Sequence, residues 1–475
     1  MVFSSLAFLC VFLPAVFLLY TLIPSIRARN ALLIVASLVF YAYGEPVYVL
    51  LMLFSSLLNY LCARWAGADP TRKNRLALVV AVAVNLGILA IFKYAGMFVQ
   101  TFDAITGFGV PVPQITLPIG ISFFTFQALS YVIDVYRGTV SAQKNYFYVL
   151  LYISFFPQLI AGPIVKYRDI REMITDRKQD ADTIARGLRR FVCGLAKKVL
   201  IANTMGQVAD AMFSVGANDL SAPGAWLGAI AYVFQIYYDF SGYSDMAIGL
   251  GLMFGFKFKE NFNYPYESRS IKEFWRKWHI SLSSWFKDYL YIPLGGNRKG
   301  RPRAVLNRLI VFFLCGLWHG ANWTFVIWGL WHGFFLLLEE FIPRLRKLPR
   351  ILGHAYAMLV VTLGFVVFRA DTFAYGLAYL GAMFTGFTVT DASASIALQQ
   401  LTPWFIVMCV AAVIGCAPIR PLADKLRAGL YGQTEPSRIW RVVQIVLYVL
   451  AFIGLVWCIL RLSSGGYNPF IYFRF

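Results

Sequence analysis

The sequence contains two neighbouring runs rich in tryptophan and histidine: FWRKWHISLSSWFKDYLYIPLGGNRKG at residues 274–300 and GLWHGANWTFVIWGLWHG at residues 316–333. The second run lies inside an uncharged stretch, 309–338, with Arg308 before it and Arg344 after it. That stretch exceeds the roughly 20 apolar residues that one spanning helix needs, and basic residues collect on the cytoplasmic side of a membrane. We therefore predict that 309–338 enters the membrane and returns to the same side as a helical hairpin.

The length of this hairpin predicts the depth of its histidines. His319 follows Arg308 by eleven residues, which is about 16 Å along a helix. The hydrocarbon core of a bilayer is about 30 Å thick. We therefore place His319 near the bilayer midplane, and His332 at a similar depth on the returning arm.

The composition indicates a membrane protein throughout the 475 residues. The residues AVILMFWYC make up 59% of the chain and charged residues only 14%, against about 45–50% and 25% in soluble domains. The net charge of +20 does not indicate a nucleic-acid partner, because the basic residues lie in short clusters between uncharged stretches. The seven cysteines lie in or beside apolar segments without a CxxC motif, so we predict neither disulfides nor a metal site.

The uncharged stretches predict an all-α polytopic integral membrane protein with about eleven transmembrane helices plus re-entrant or interfacial helices. We treat residues 1–475 as one transmembrane domain. Two stretches are predicted not to cross: 145–165 dips into the membrane and returns, and 372–390 lies along the outer interface. The uncharged stretches are, in full, 1–26, 30–44, 46–63, 76–92, 104–133, 145–165, 221–238, 309–338, 355–368, 372–390, 392–419 and 442–460.

The basic residues predict the orientation of the chain. Of the 43 Lys and Arg residues, all but Lys93, Arg369, Arg461 and Arg474 fall on one predicted side of the membrane. By the positive-inside rule this side is cytoplasmic. Both chain termini are then predicted to lie on the opposite side.

His319 is the first candidate for chemistry. An ionisable residue inside a membrane is costly and is by default a functional hypothesis, although a core imidazole bonded to a neighbouring helix is the alternative. The setting CGLWHGANW favours function, because Gly316 and Gly320 allow close backbone approach and leave room for a ligand. Trp318 and Asn322 in the same run are predicted to support the site.

His279 is the second candidate. Trp275, Trp278, Leu282 and Trp285 recur around it at helical spacing, which predicts an amphipathic helix at the cytoplasmic interface. The tryptophans would then be interface anchors, and the sequence does not decide whether His279 is functional or structural. We expect structural roles for the other two histidines, His332 and His354.

Two carboxylates lie in the run IYYDFSGYSDMAIG, at Asp239 and Asp245. Carboxylates inside a membrane often serve proton or cation pathways. We favour the alternative, that they form hydrogen bonds with the nearby tyrosines and support the site only indirectly.

The remaining chemistry fits acyl transfer. The sequence has no GxSxG, HExxH, P-loop or GxGxxG motif, so hydrolase, metalloprotease and nucleotide-driven readings lose their usual support. A membrane histidine beside a basic, aromatic cytoplasmic face suits general-base activation of a hydroxyl toward a thioester of coenzyme A. Lys272, Arg276 and Lys277 could bind the donor's phosphates, with Trp275 in the same donor site, although membrane topology explains these basic residues equally well.

Long motifs make a family recognisable. Besides the two runs above, the chain contains LPIGISFFTFQALSYVIDVYRG, FFPQLIAGPI, YYDFSGYSDMAIGLGLMFGF, NFNYPY and a C-terminal PFIYFRF. Together they resemble the membrane-bound O-acyltransferase (MBOAT) family, and within it the bacterial alginate O-acetyltransferase branch. The resemblance covers nearly the whole chain.

The resemblance implies a ring of spanning helices around a thin centre, with a tunnel for donor and acceptor and a catalytic core at about 115–340. His319 matches the family's catalytic histidine, and His279 matches the second histidine of the bacterial exopolymer branch. The donor would be cytoplasmic acetyl-CoA. The acyl group would cross a bacterial inner membrane to a periplasmic partner of the SGNH-hydrolase type and an exported polysaccharide such as alginate, and both chain termini would be periplasmic.

Three alternatives stay open at this point. The acceptor could be another envelope polymer, such as cellulose, peptidoglycan or teichoic acid. A non-catalytic transporter or flippase predicts inverted repeats, and the hairpin at 309–338 has no counterpart in the N-terminal half. A scaffold with purely structural histidines predicts full acetylation after His319→Ala.

Overall fold

The computed structural model describes residues 1–67, 74–216, 219–388, 390–418 and 438–471. Within these ranges the regular structure is helical. The α-helices are α1 Leu13–Leu22, α2 Ile26–Ala42, α3 Tyr48–Ala66, α4 Arg75–Leu89, α5 Ala95–Thr106, α6 Ile121–Tyr136, α7 Tyr146–Ser154, α8 Phe156–Leu159, α9 Tyr167–Thr175, α10 Ala181–Ala196, α11 Asn203–Phe213, α12 Ala222–Met253, α13 Ile271–Lys277, α14 Ile280–Phe286, α15 Arg301–His319, α16 Trp323–Phe341, α17 Arg350–Arg369, α18 Phe373–Thr385, α19 Asp391–Gln400, α20 Pro403–Cys416 and α21 Arg438–Ser463.

Short π-helical turns join or extend several of these helices. They are Ala7–Phe12 before α1, Ala90–Tyr94 between α4 and α5, Lys197–Ala202 between α10 and α11, and Lys287–Tyr291 after α14. Two 3₁₀ turns, Pro265–Glu267 and Pro343–Lys347, lie in the connections before α13 and α17. The chain is thus a multi-pass, all-helical membrane protein, as predicted.

Five of the described helices are long and apolar enough to cross a membrane, and a bent pair counts as a sixth if its two helices form one span. The bent pair, Ala394–Gln400 with Pro403–Cys416, turns by 69° within the stretch 392–419 that the sequence suggested as one span. The five are Tyr48–Ala66, Arg75–Thr106, Trp323–Phe341, Arg350–Arg369 and Arg441–Ser463.

The centre of the fold is α12, which packs along α10 and α11 and also contacts α17 and α18. Most of its side chains are buried. Two glycines, Gly194 of α10 and Gly242 of α12, allow the backbones to approach closely, since a Cβ at Gly194 would lie 2.5 Å from the carbonyl oxygen of Gly242. Both sequence-predicted carboxylates, Asp239 and Asp245, lie on this central helix.

The predicted hairpin at 309–338 is present as α15 and α16, joined by Gly320–Asn322. The two helices pack closely: Gly316 lies against Phe325 and Val326, and Gly329 against Phe312. This antiparallel register places His332 opposite the region of residue 309, about 15 Å along the helix from His319. The backbones of the two histidines therefore differ in depth by about ten positions, contrary to the expectation, although both imidazoles contact the Trp328 ring, at 5.0 and 5.1 Å.

The predicted amphipathic helix around His279 is also wrong. The segment forms two short helices, α13 and α14, broken at Trp278 and His279. Backbone groups of an upstream segment pair with the break, since Asn263 N donates to the Lys277 carbonyl and Ile280 N donates to the Asn261 carbonyl, both at 2.9 Å. The tryptophans here are buried in the protein core rather than anchored at an interface.

Other stretches agree with the sequence in kind but differ in extent. The stretch 145–165 forms α7 and α8, whose nine and four residues are too few to cross a bilayer, which supports the predicted dip. The stretch 372–390 contains α18, whose 13 residues are likewise too few. The span predicted at 76–92 is longer in the structure, where α4, the π-helical turn Ala90–Tyr94 and α5 together form the segment Arg75–Thr106. The basic residues at 68–73 and 419–437 lie outside the described ranges, as does the end of the C-terminal motif from 472.

Candidate functional site

His319 is the last residue of α15 and its side chain is buried, with 6% exposed. Three rings surround it edge-on: Trp318, Trp328 and Phe368 have ring centroids 5.1, 5.0 and 5.4 Å from the imidazole centroid. Among the described residues neither ring nitrogen has a hydrogen-bond partner. Buried polar groups are normally satisfied, so an imidazole with both nitrogens open is available to a substrate.

His279 lies at the break between α13 and α14 and is fully buried. Its backbone is left-handed, with φ of 44°, a conformation that costs energy outside glycine and that clusters at functional sites. The left-handed residue turns the chain, so the imidazole faces the end of α15. The centroids of the His279 and His319 rings are 6.3 Å apart.

Asn261 fixes the tautomer of His279. The Asn261 Oδ1 accepts from the backbone N–H of Ser281 at 3.1 Å, while its Nδ2 donates to the Ser244 hydroxyl at 3.1 Å. Because Oδ1 can only accept, the His279 Nδ1, which lies 3.2 Å from it, carries the proton. The Nε2 of neutral His279 is then unprotonated, and it has no partner among the described residues.

A cavity of about 510 Å³ leads from the charged end of the hairpin toward this pair of histidines. Its charged end is mostly basic, and its inner wall is apolar. The wall includes Cys315, one helical turn before His319. The basic lining residues are Lys272, Arg276, Lys287, Arg308 and Arg346, and the aromatic ones are Trp275, Phe286, Tyr291 and Phe312.

Two glutamates of α16 organise the basic rim. The buried carboxylate of Glu339 accepts the backbone N–H groups of Ile271 at 2.5 Å and Lys272 at 3.1 Å, which holds the start of α13. Glu340 pairs with Arg308. The remaining lining cations leave the rim with an excess of positive charge.

A second cavity is bordered by His319 itself. It measures about 320 Å³ and is lined by Lys93, the segment 117–123, Ile160, Trp318 and His319. The end of α15 thus stands between two cavities: Cys315 borders the basic one, and Trp318 and His319 border the other. This arrangement suits a reaction whose two substrates approach from opposite directions.

Comparison with known proteins decides the family. The chain is 41% identical to the probable alginate O-acetylase AlgI of Azotobacter vinelandii, over the full length of both chains. The chain belongs to the membrane-bound O-acyltransferase family. The family's model, described as "MBOAT, membrane-bound O-acyltransferase family", matches residues 141–370.

Two further relatives show how widely the family resemblance extends. The peptidoglycan O-acetyltransferase of Helicobacter pylori is 37% identical over 81% of this chain and 80% of its own length. The teichoic acid D-alanyltransferase of Bacillus subtilis is 28% identical over 53% of this chain and 67% of its own length. The MBOAT resemblance seen in the sequence is confirmed.

The structure brings most of the predicted site residues of this MBOAT protein together. His319, His279 and Trp318 are neighbours, and Trp275, Lys272 and Arg276 line the basic cavity. Asn322 lies just beyond, where its Oδ1 caps α16 at Thr324 and its Nδ2 donates to the Asp371 carbonyl.

Lys277 does not join the basic cavity. Its ammonium lies 2.9 Å from Glu273 and 3.8 Å from Glu267, and it borders a separate cavity of about 770 Å³ together with His354. The reason is helical spacing within α13: Lys272 and Arg276 lie four residues apart on one face, whereas Lys277 is turned by about 100° from Arg276.

The two carboxylates of α12 form ion pairs rather than bonds to the nearby tyrosines. Asp239 lies 2.8 Å from the ammonium of Lys198 and accepts the backbone N–H of Ile471 at 2.7 Å. Asp245 contacts Arg190 and Lys197, at 2.8 and 2.7 Å. Both therefore hold neighbouring segments onto the central helix, through ion pairs and a backbone bond rather than through the expected bonds to tyrosines.

Five residues of the site were missed by the sequence analysis. Three of them line the basic cavity but served in the sequence analysis only to predict the orientation of the chain in the membrane: Lys287, Arg308 and Arg346. Asn261 was quoted inside NFNYPY without a role. Of these five, only Lys93 could have been singled out from the sequence. It follows the uncharged stretch 76–92 and is one of the four basic residues that lie outside the cytoplasmic clusters.

Proposed function

We propose that this chain is an inner-membrane O-acetyltransferase that passes acetyl from cytoplasmic acetyl-CoA to the far side of the membrane, for O-acetylation of an exported polysaccharide such as alginate. The observation that carries the proposal is the position of His319. It is a buried imidazole with two open nitrogens that borders the 320 Å³ cavity, one helical turn from Cys315, which borders the basic cavity.

The donor occupies the basic cavity in this proposal. Coenzyme A carries several phosphate charges, and Lys272, Arg276 and Lys287 offer charge-assisted bonds to them. The apolar inner wall accepts the pantetheine arm and brings the thioester to the level of Cys315. No metal is required, because a thioester is already an activated acyl donor.

The transfer itself needs a base and an acid. The acceptor hydroxyl gives its proton to a ring nitrogen of His319 as its oxygen attacks the thioester carbonyl. The tetrahedral intermediate then collapses with cleavage of the carbon–sulfur bond, and the thiolate leaves with the proton returned by His319. His279, whose Nε2 is open toward the same space, orients the thioester or relays the proton.

The acceptor side rests on relatives. Two relatives that are 41% identical to this chain are named as probable alginate O-acetylases, and another as a peptidoglycan O-acetyltransferase. We propose that a periplasmic SGNH-type partner receives the acetyl group before the polysaccharide does. For the chain itself we propose a ring of about eleven spans with both termini periplasmic. Peptidoglycan, cellulose and teichoic acid are the alternative acceptors.

The test uses inverted membrane vesicles and radiolabelled acetyl-CoA, with the partner and acceptor glycan from the same cells enclosed. Wild type is compared with His319→Ala and with the matched control His354→Ala, whose exposed histidine borders a different cavity. Label in the lumenal glycan for wild type and His354→Ala, and none for His319→Ala, supports the proposal. Equal transfer by all three removes His319 as the base.

The same vesicles also distinguish the proposed transferase from a transporter. A transporter or flippase would carry an acetylated compound inward without releasing coenzyme A from acetyl-CoA. The proposal instead predicts one free thiol of coenzyme A for each acetyl group that becomes lumenal, and a thiol-reactive dye outside the vesicles counts it.

A further inference from the structure

The end of α15 is an unusual place for a buried histidine, because the last carbonyl groups of a helix have no partners within it. In a membrane such groups must be satisfied by protein, since no water is present to bond them. Here three consecutive carbonyls are satisfied by two neighbouring side chains. Tyr94 Oη donates to the Leu317 carbonyl at 2.7 Å, and Lys93 Nζ donates to the carbonyls of Trp318 at 2.6 Å and His319 at 3.2 Å.

The local backbone explains how two consecutive residues reach the same helix end. Lys93 and Tyr94 are the last two residues of the π-helical turn Ala90–Tyr94, which interrupts the long helix Arg75–Thr106. Such π turns inside α-helices are rare and occur frequently at functional sites. The turn lies more than 220 residues before His319 in the sequence, so only the fold brings them together.

Lys93 has no donor to spare for a substrate. An ammonium has three N–H groups, and the third is used by the Ser122 hydroxyl at 3.2 Å. The described part of the chain supplies these three oxygens and no carboxylate to this buried cation. A positive charge at a helix C-terminus is favoured by the helix dipole, which explains why a lysine is held here in an otherwise apolar span.

We propose that Lys93 and Tyr94 form a clamp that fixes the end of α15 and thereby places the His319 ring against both substrates. The clamp rests on the proposed function of His319. Its members are positioning residues: they touch the backbone that carries the imidazole, and the transfer step takes place without a bond to either of them.

A variant of Tyr94 distinguishes this positioning role from direct contact between Lys93 and a substrate. Lys93 borders the 320 Å³ cavity together with His319, whereas the lining of that cavity does not include Tyr94. If Lys93 acted only by touching the acceptor or the oxyanion, removal of the Tyr94 hydroxyl would leave transfer unchanged. The clamp predicts that both side chains matter, and in the same kinetic parameter.

The experiment measures kcat, the KM for acetyl-CoA and the binding of coenzyme A alone for wild type, Lys93→Met, Lys93→Gln and Tyr94→Phe. Lys93→Met keeps the apolar stem and removes all three donors, whereas Lys93→Gln keeps two N–H groups without the charge. Because a displacement of about 1 Å costs up to about 100-fold in rate, Lys93→Met is expected to lower kcat about 100-fold. Lys93→Gln and Tyr94→Phe are expected to lower it less, and coenzyme A binding and KM stay at wild-type values in all three.

Two controls make the result decisive. Lys259→Met changes an exposed lysine that pairs with Asp169 away from both cavities, and its kcat is expected to equal that of wild type. His319→Ala is measured in parallel. An inactive His319→Ala together with wild-type kcat in Lys93→Met or in Tyr94→Phe overturns the clamp, and so does a loss of coenzyme A binding in step with kcat. Full activity of His319→Ala overturns the proposed function instead.

Discussion

Asn261 offers a sharp test of the tautomer assigned to His279. Its side chain makes four hydrogen bonds: it accepts from the Ser281 N–H, the Ser281 hydroxyl and His279 Nδ1, and donates to the Ser244 hydroxyl. At a net value of about 1 kcal/mol each, Asn261→Ala removes about 4 kcal/mol from the free energy of unfolding. This loss should appear as a lower melting temperature and as lower kcat together.

Asn261→Asp separates chemistry from stability. The carboxylate has the same shape and keeps the three accepted bonds, so its stability should exceed that of Asn261→Ala. Its negative charge beside Nδ1 stabilises the imidazolium form of His279, and Nε2 then carries a proton and cannot accept another. We expect kcat at neutral pH to fall about 100-fold, the lower range for loss of a proton-transfer group.

The assay is acetyl transfer as a function of pH in detergent-solubilised protein with its acceptor. Since the imidazolium loses its proton as the pH rises, Asn261→Asp should regain activity on the alkaline side, whereas Asn261→Ala should not. An Asn261→Asp variant with wild-type kcat at neutral pH would refute the reasoning, because it would show that an open Nε2 on His279 is not used.

Three further predictions concern the surroundings of the site. Arg276→Ala should raise the KM for acetyl-CoA about tenfold, since one charge-assisted bond contributes about 1.5–3 kcal/mol, while Lys277→Ala should leave this KM unchanged; equal effects would place the donor elsewhere. Burial raises the pKa of Asp288, but the opposing effect of Lys166 and Arg168 is larger and holds that pKa below its usual value. The ion pairs therefore stabilise the fold at neutral pH, and this contribution is lost below about pH 4. Asp288→Asn should therefore melt lower than wild type at pH 7 and approach it in acid; a constant difference would contradict this. Lys198→Met leaves the buried Asp239 charge unpaired and should cost about 3–5 kcal/mol, and much of that cost should be recovered in the double variant with Asp239→Asn.

The hairpin and its histidine could be predicted because they depend on local signals. The flanking residues Arg308 and Arg344 and the uncharged stretch between them were enough to predict α15 and α16. The close backbone approach expected at Gly316 is present, but the room for a ligand expected beside Gly316 and Gly320 is filled by Phe325 and Val326. Motif resemblance then gave the family, which full-length similarity confirmed.

The details of the site could not be predicted because they depend on contacts between distant segments. The helix break at His279 is held by Asn261, 18 residues upstream, so the spacing of tryptophans alone suggested a continuous helix. The register of the hairpin, which separates His332 from His319, follows from a three-residue turn whose geometry the composition does not encode. Lys93 meets α15 only through the fold.

The central claim is that the end of α15, from Cys315 to His319, separates two cavities that open to opposite sides of the membrane. Cysteine accessibility tests it most directly, in protein whose exposed cysteines Cys10 and Cys193 are replaced by serine. Lys287→Cys reports on the basic cavity and Ile119→Cys on the other, with a membrane-impermeant thiol reagent applied to inverted vesicles or to spheroplasts. We predict that Lys287→Cys reacts only in inverted vesicles and is protected by coenzyme A, while Ile119→Cys reacts only in spheroplasts; reaction of both from the same side would contradict the account.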